Sequence, residues 1–235
     1  MENQPQYVTL PIADGSSMAA YTALPESETG SAPAIILLQE AFGVNHHIRN
    51  VADKYAANGY VVIAPELFHR TAPVGFVASY TDFPAVMPHM QALTNEGLET
   101  DLKACFDWLN SHDSVDSSKI YSIGYCLGGR VSFLANATLP LKAAVSYYGG
   151  GVDKFIDKIP NLSGRHLFFW GGLDKHIPAE SINTLATAME EAGKDFITVK
   201  ISYADHGFNC NERASYNEAA AKEALALTLA FLKNN

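Results

Sequence analysis

The chain has 235 residues, 48% of them hydrophobic and 17% charged, and its 16 basic and 25 acidic residues give a net charge of −9. This length and composition predict one soluble globular domain over residues 1–235 and exclude a globally disordered chain. The excess of acidic residues argues against nucleic acid or an anionic membrane surface as a partner.

The predicted elements begin with an antiparallel hairpin, formed by strands at 7–12 and 18–24 around the turn signal Asp14-Gly15. Apolar runs typical of strands buried on both faces follow at 34–38 and 60–64, and further strands are predicted at 119–123, 143–148, 165–170 and 196–201. Helical spacing of apolar residues predicts helices at 47–58, 90–110, 131–137, 178–193 and 215–233. This alternation indicates an α/β fold with a mostly parallel, doubly wound sheet.

Residues 66–90 carry four breakers of regular structure, Pro73, Gly75, Pro84 and Pro88, together with several aromatic residues. Their apolar residues show little periodicity, so we expect a loop. A loop of this length beside a sheet edge is more typical of a substrate cover than of a linker.

The three cysteines, Cys105, Cys126 and Cys210, are odd in number and widely spaced. They predict neither a disulfide framework nor a paired-cysteine metal site, and we assign no metal and no cofactor. The N-terminus, Met1 to Gln6, lacks the basic and apolar segments of a secretion signal, and no apolar run is long enough to span a membrane. We therefore expect a cytoplasmic protein.

The most informative motif is Gly124-x-Cys126-x-Gly128-Gly129, which stands between the predicted strand at 119–123 and the helix at 131–137. A strand that turns directly into a helix holds the central residue in a strained conformation, with its side chain above the sheet edge. The N-terminus of the helix then points at that side chain and favours a thiolate. The motif thus predicts Cys126 as a nucleophile.

Three further polar residues follow the ends of predicted strands: Glu40, Asp174 and His206. In doubly wound sheets, catalytic groups gather outside the carboxyl ends of the strands. The order nucleophile, acid, histidine is that of α/β-hydrolases. We expect His206 to accept the proton of Cys126 and Asp174 to orient His206.

An oxyanion formed during acyl transfer needs hydrogen-bond donors. The backbone amide of Leu127 begins the helix after the cysteine, and that of Ala41 lies in the loop after the strand at 34–38. We predict that these two amides form the oxyanion hole.

Each of these residues also has an interpretation without catalysis. Cys126 fits a buried structural cysteine, since free cysteine is among the most buried residue types. Asp174 fits a cap of the helix that begins near Pro178, and His206 and Glu40 fit ordinary polar residues at strand ends. Their joint order and placement favour the catalytic interpretation.

Together these motifs resemble the dienelactone hydrolase (carboxymethylenebutenolidase) family within the α/β-hydrolase superfamily. The resemblance rests on Gln39-Glu40-x-Phe42-Gly43, Gly124-Tyr125-Cys126-Leu127-Gly128-Gly129, Gly172-Leu173-Asp174 and Asp205-His206-Gly207-Phe208. It implies a Cys-His-Asp triad that opens lactones or esters without a metal. It also implies that Glu40 holds the resting thiol until substrate displaces it.

The chain departs from this family in the arginines that hold the substrate's carboxylate. Residues 71–102 contain no Arg or Lys, and the first cation after His206 is Arg213. We regard Arg70 and Arg213 as candidate replacements. The aromatic residues Phe42, Tyr80 and Tyr148 are further candidates for contact with substrate.

The leading hypothesis is a cysteine-dependent hydrolase of a small lactone, enol ester or activated ester. The missing arginines keep open a broader carboxylesterase or thioesterase. A third alternative is a non-catalytic, thiol-reactive binding protein on the same fold, although a binder needs neither Asp174 nor His206. The sequence fits a monomer or a homodimer.

Overall fold

The computed structural model describes residues 6–26 and 31–235, which form two compact units that meet in sequence between Tyr121 and Ser122. Met1 to Pro5, on which part of the prediction about secretion rests, lie outside the described residues. The prediction of a single domain over residues 1–235 stays a prediction.

The first unit begins with the predicted hairpin. Strands β1 (Gln6–Pro11) and β2 (Ser17–Ala23) pair antiparallel with Tyr7 opposite Tyr21, and the turn between them places Gly15 at a φ of +86°. Glycine occupies this backbone region without strain. The remaining elements of the unit are β3 (Ala32–Leu38), α1 (His46–Ala57), β4 (Val61–Pro65), α2 (Phe83–Gln91), α3 (Asn95–Asn110) and the start of β5 (Val115–Tyr125).

The second unit continues with the end of β5 and alternates helices with parallel strands. Its elements in chain order are α4 (Leu127–Thr138), β6 (Ala143–Tyr147), β7 (Arg165–Gly171), α5 (Ala179–Glu191), β8 (Phe196–Ile201) and α6 (Glu218–Lys233). Strand β7 pairs parallel with both β6 and β8, so the carboxyl ends of these three strands face the same edge.

The eight strands form one sheet in the order β1-β2-β4-β3-β5-β6-β7-β8. Strand β2 is antiparallel to both of its neighbours, whereas the β3–β4, β6–β7 and β7–β8 pairs are parallel. The predicted α/β fold, with a mostly parallel sheet and an N-terminal antiparallel hairpin, is confirmed.

Two predictions for residues 66–110 were wrong. The expected loop at 66–90 contains helix α2, because Asp82 accepts a hydrogen bond from the amide of Ala85 and Pro84 occupies the first turn, where no amide partner is needed. The helix expected from Met90 begins only at Asn95, because Thr94 caps the amide of Gly97 at 3.1 Å.

The sequence pattern also missed a stretch of 3₁₀ turns at Val152–Asn161, between β6 and β7. Such turns are short and follow no long apolar period, so periodicity does not reveal them.

Candidate active site

Cys126 is the single residue between the last residue of β5 and the first residue of α4. Its φ of +54° lies in a region that residues other than glycine rarely adopt. The turn closes because Gly124 has no side chain: a Cβ there would lie 1.8 Å from the carbonyl oxygen of Gly128. The sequence therefore folds into the predicted strand–turn–helix, with the half-buried Cys126 at its apex.

His206 and Asp174 approach this cysteine from two other loops of the same unit. Nε2 of His206 lies 3.2 Å from Sγ of Cys126, and Nδ1 of His206 lies 2.8 Å from Oδ2 of Asp174. The structure thus brings together the three residues that the sequence predicted as nucleophile, base and acid, in one continuous hydrogen-bonded chain.

The second carboxylate oxygen of Asp174 organises its own loop. Oδ1 accepts the backbone N–H groups of His176 at 2.7 Å and of Ile177 at 3.3 Å. Helix α5 starts later, and its N-cap residue is Pro178, which offers no side-chain cap. Asp174 therefore does not cap α5, which was the alternative interpretation of this carboxylate.

The hydrogen-bonded contacts among Cys126, His206 and Asp174 shift the pKa values of the histidine and the aspartate. Burial lowers the pKa of His206, but hydrogen bonds to Asp174 and Cys126 and their negative charges outweigh burial and raise it to about 10. Burial raises the pKa of Asp174, but the hydrogen bond and charge of His206 and the two loop amides hold it below its usual value. These shifts favour an imidazolium at His206 beside an ionised Asp174.

Two aromatic rings pack against the imidazole of His206. The ring of Tyr148 has its centroid 5.1 Å away, and that of His176 lies edge to face at 5.3 Å. Tyr148 is fully buried and has a φ of +38°, a strained value for tyrosine. Its ring thus contacts the candidate base, while His176 is exposed at the site and carried no signal in the sequence.

Arg130, a cation that no sequence motif indicated, also lies near the thiol. Arg130 stands in the first turn of α4, and burial lowers the pKa of its guanidinium, while the charge of Cys126 partly offsets this effect. Arg130 therefore contributes positive potential at Cys126.

Arg213 packs against the residue that follows the candidate base. A Cβ on Gly207, the residue after His206, would lie 2.5 Å from Nη1 of Arg213, so the guanidinium packs against this glycine. The role of Arg213 as a substrate ligand stays a prediction.

Arg70, the other candidate cation, has its guanidinium bound to two carboxylates. It contacts Asp14 at 2.7 Å and the fully buried Asp101 at 2.8 Å through both Nη1 and Nη2. These ion pairs compete with any substrate carboxylate for the same nitrogen atoms.

Four further predicted residues, Glu40, Ala41, Phe42 and Tyr80, lie in the first unit. Glu40 is fully buried, and Ala41 and Phe42 form a small apolar cluster with Val86. The ring of Tyr80 packs on that of Phe42 at 4.8 Å, and its hydroxyl accepts a hydrogen bond from Asn45. Their roles toward thiol, oxyanion and substrate stay predictions.

In the part of the chain that the structure describes, no helix is long and apolar enough to cross a membrane.

Comparison with known proteins gives a consistent set of relatives. The model of the dienelactone hydrolase family matches residues 18–235. A Yersinia pestis protein described as a candidate carboxymethylenebutenolidase is 34% identical over 225 residues, which cover 92% of this chain and 82% of that protein. The carboxymethylenebutenolidase of Pseudomonas putida is 30% identical over 224 residues, with 90% and 92% covered.

The fold comparison points the same way. A Klebsiella pneumoniae crystal structure described as a candidate dienelactone hydrolase has a TM-score of 0.89 at 31% identity and covers 99% of both chains.

Proposed function

Because the chain belongs to the dienelactone hydrolase family, we propose that it hydrolyses a small lactone, enol ester or activated ester with Cys126 as nucleophile, His206 as base and acid, and Asp174 as the orienting carboxylate. The observation that carries this proposal is the chain of contacts from Sγ of Cys126 through the imidazole to Oδ2 of Asp174. A protein that only binds a ligand needs no such chain.

In the first step the thiolate of Cys126 attacks the ester carbonyl. Once substrate has entered, His206 holds the proton of Cys126, as its raised pKa favours, and then donates it to the departing alkoxide or enolate oxygen. Cys126 remains acylated, and the alcohol or enol leaves. When the ester is a lactone, the leaving oxygen stays on the same molecule.

In the second step neutral His206 removes a proton from water, which attacks the thioester carbon. The thiolate departs, the carboxylic acid product forms, and the imidazolium is restored. Asp174 stabilises the imidazolium in both steps and keeps Nε2 aimed at the reacting atoms through its hydrogen bond to Nδ1.

The developing oxyanion needs donors close to Cys126. The amide of Leu127 is the first of helix α4, where backbone N–H groups have no intrahelical acceptor, and we assign it to this role together with the amide of Ala41. Glu40 is fully buried, and its proposed role is to disfavour the free thiolate by like-charge repulsion until substrate enters.

The second candidate function is a broader carboxylesterase or thioesterase. It is favoured by the ion pairs of Arg70, because they occupy one of the two cations that the sequence predicted as partners of a substrate carboxylate. Arg213 stays the predicted contact for an anionic substrate. We propose a cytoplasmic location, since no disulfide joins the three cysteines in the described part of the chain and the chemistry needs a reduced Cys126.

Stopped-flow hydrolysis of an enol lactone with a free carboxylate, compared with its uncharged ester analogue, tests the proposal. We expect turnover in the wild type, loss of about 10³-fold or more in Cys126→Ala, and little change in Cys105→Ala, which removes a fully buried thiol elsewhere. Preference for the carboxylate supports the dienelactone-type substrate, whereas preference for the neutral ester supports the broader esterase. Equal turnover in wild type and Cys126→Ala would refute the cysteine mechanism.

A further inference from the structure

A buried hydrogen-bonded chain runs beneath the cysteine turn and connects helix α4 with strands β6 and β7. Oγ of Ser146 lies 2.6 Å from the carbonyl oxygen of Gly129 and 2.8 Å from Nε2 of His166. Nδ1 of His166 lies 3.2 Å from Nδ2 of Asn136, in the last turn of the helix. The side chains of Ser146, His166 and Asn136 are all fully buried.

The hydrogen bonds that join Asn136, His166, Ser146 and Gly129 can all form with only one assignment of donors and acceptors. A carbonyl oxygen cannot donate, so the single proton of the Ser146 hydroxyl must point at Gly129. Ser146 must then accept the Nε2 proton of His166, which leaves Nδ1 as the acceptor for Asn136. The orientation of the Asn136 amide agrees, because its Nδ2 also donates to the carbonyl of Gly164 while its Oδ1 accepts the Gly164 amide, both at 2.9 Å.

The histidine is held in the neutral form that this direction requires. Burial lowers the pKa of His166 to about 3, and its ring stacks on Phe168 with centroids 4.2 Å apart. A second ring proton on Nδ1 would face the Asn136 amino group, a donor against a donor. His166 therefore keeps the proton of Ser146 aimed at Gly129 at neutral pH.

The turn that carries the Leu127 amide is thus attached to strand β6 at both ends. At one end the amide of Cys126 donates to the carbonyl of Tyr147 at 3.0 Å, and at the other end the carbonyl of Gly129 accepts from Ser146. Ser146 and Tyr147 are consecutive residues of one strand. Only Leu127 and Gly128 lie between the two attachment points.

We propose that Ser146, with its hydroxyl oriented by His166, is a positioning residue that fixes the Leu127 amide for the oxyanion of the reaction. The proposal rests on the hydrolytic function given above. Donors in an oxyanion hole act only when they are held at hydrogen-bond distance from the developing charge, and small displacements cost rate rather than binding. The network acts on the transition state through Gly129 and does not touch the thiol itself.

The chain offers a matched control on the same helix. Oγ of Ser132, in the middle of α4, lies 2.8 Å from Oγ of Ser122 on strand β5, and both are fully buried. Ser132→Ala removes a buried hydroxyl from the helix, as Ser146→Ala removes one beneath it, but it leaves the attachment of Gly129 intact. Both substitutions remove one hydroxyl and add no atoms.

The rates of ester hydrolysis and of Cys126 alkylation, measured together, distinguish a displaced Leu127 amide from general damage to the site. Ester hydrolysis passes through an oxyanion, whereas alkylation of Cys126 by iodoacetamide depends on the thiolate and forms no oxyanion. We expect Ser146→Ala to lower kcat about tenfold with less than a twofold change in KM and an unchanged alkylation rate. Ser132→Ala should keep the wild-type kcat. Ser146→Cys, which retains a weak donor, should recover part of the loss.

The results have distinct meanings. Equal kcat values for Ser146→Ala and Ser132→Ala, each well below its melting temperature, would overturn the positioning role while leaving the cysteine mechanism standing. An equal loss in alkylation would also overturn it, since the defect would then lie in the thiol. If Ser146→Ala does not fold, Ser146→Cys, whose thiol is a weaker donor to Gly129, provides the same comparison with a smaller expected loss of kcat. A hydrolysis rate independent of Cys126 would instead refute the underlying function.

Discussion

Oδ2 of Asp174 lies 2.8 Å from Nδ1 of His206, while the other oxygen of the same carboxylate holds the backbone of residues 176 and 177. One side chain thus orients the base and shapes its own loop. Asn in this place can keep the loop contacts through Oδ1, but its amino group would face the Nδ1 proton of His206. We therefore expect Asp174→Asn to fold and to lose kcat about 10³–10⁴-fold.

Steady-state hydrolysis of an activated ester measures this loss. Asp157→Asn, which removes the same charge from an exposed position of the same unit, is the control and should retain activity. A drop of less than about tenfold in Asp174→Asn would contradict the orienting role.

The raised pKa of His206 predicts how stability depends on pH. A group whose pKa is higher in the folded protein stabilises it fully below the unfolded value, about 6.5, and this contribution is lost as the pH rises through about 10. The melting temperature of wild type should thus exceed that of His206→Gln most at pH 6, and the difference should shrink toward pH 10. A difference that grows with pH would contradict the shift.

The same experiment in the Cys126→Ala background separates the two partners of the imidazole. The hydrogen bond to Cys126 is one of the contacts that raise the pKa of His206, so without it the contribution should fade at lower pH.

A single methyl group added at Gly124 should strongly destabilise the protein. A Cβ at this position would lie 1.8 Å from the carbonyl oxygen and 2.1 Å from the carbonyl carbon of Gly128, so Gly124→Ala must displace the turn. We expect a loss of at least about 3 kcal/mol of unfolding free energy, or no folded protein. Gly150→Ala is the control: its nearest neighbour would be Ile177 at 3.8 Å, and urea unfolding should detect little change.

Asp101 in the first unit is a second test of stability. Its fully buried carboxylate accepts hydrogen bonds from His69 and from two nitrogens of Arg70. Asp101→Ala leaves the cation without its buried partner, and we expect a loss of about 3–5 kcal/mol in chemical unfolding. The exposed pair of Lys103 and Asp107 lies on the same helix, so Asp107→Ala should cost less than about 1 kcal/mol.

Removal of the His176 ring should have a smaller effect on activity. Its ring contacts that of His206 edge to face, and an aromatic pair of this kind contributes about 0.5–1.5 kcal/mol. His176→Ala should therefore lower kcat/KM about two- to tenfold, and His176→Phe should restore it. If both variants lose the same activity, the imidazole of His176 acts through its polar atoms and not through ring contact.

Much of the fold and the candidate site follows from patterns along the chain. Buried strands are long apolar runs, and the glycines around Cys126 report how closely a strand and a helix approach. The place of Asp174 and His206 follows because parallel strands bring their carboxyl ends to one edge. Local patterns of this kind predict which residues meet, as the contacts of His206 show.

The missed features depend on partners far apart in sequence. Nothing adjacent to Ser146 indicates that it bonds Gly129 and His166, because 17 and 20 residues separate them. The ring of His176 reaches His206 only once the loop is closed by Asp174. Helix α2 was missed for another reason: its two prolines suggest a break, but Pro84 lies in the first turn, where it is tolerated.

The positive φ of Cys126 also bears on how the nucleophile can change during evolution. The strain belongs to the backbone and is sustained by the packing of Gly124 against Gly128, so it does not depend on sulfur. Serine has the same unbranched Cβ and can replace cysteine in one nucleotide change without rebuilding the turn. Threonine carries a second group on Cβ and meets a steric barrier there. A cysteine nucleophile at position 126 can therefore evolve into a serine nucleophile without a change in the turn, whereas threonine does not fit there.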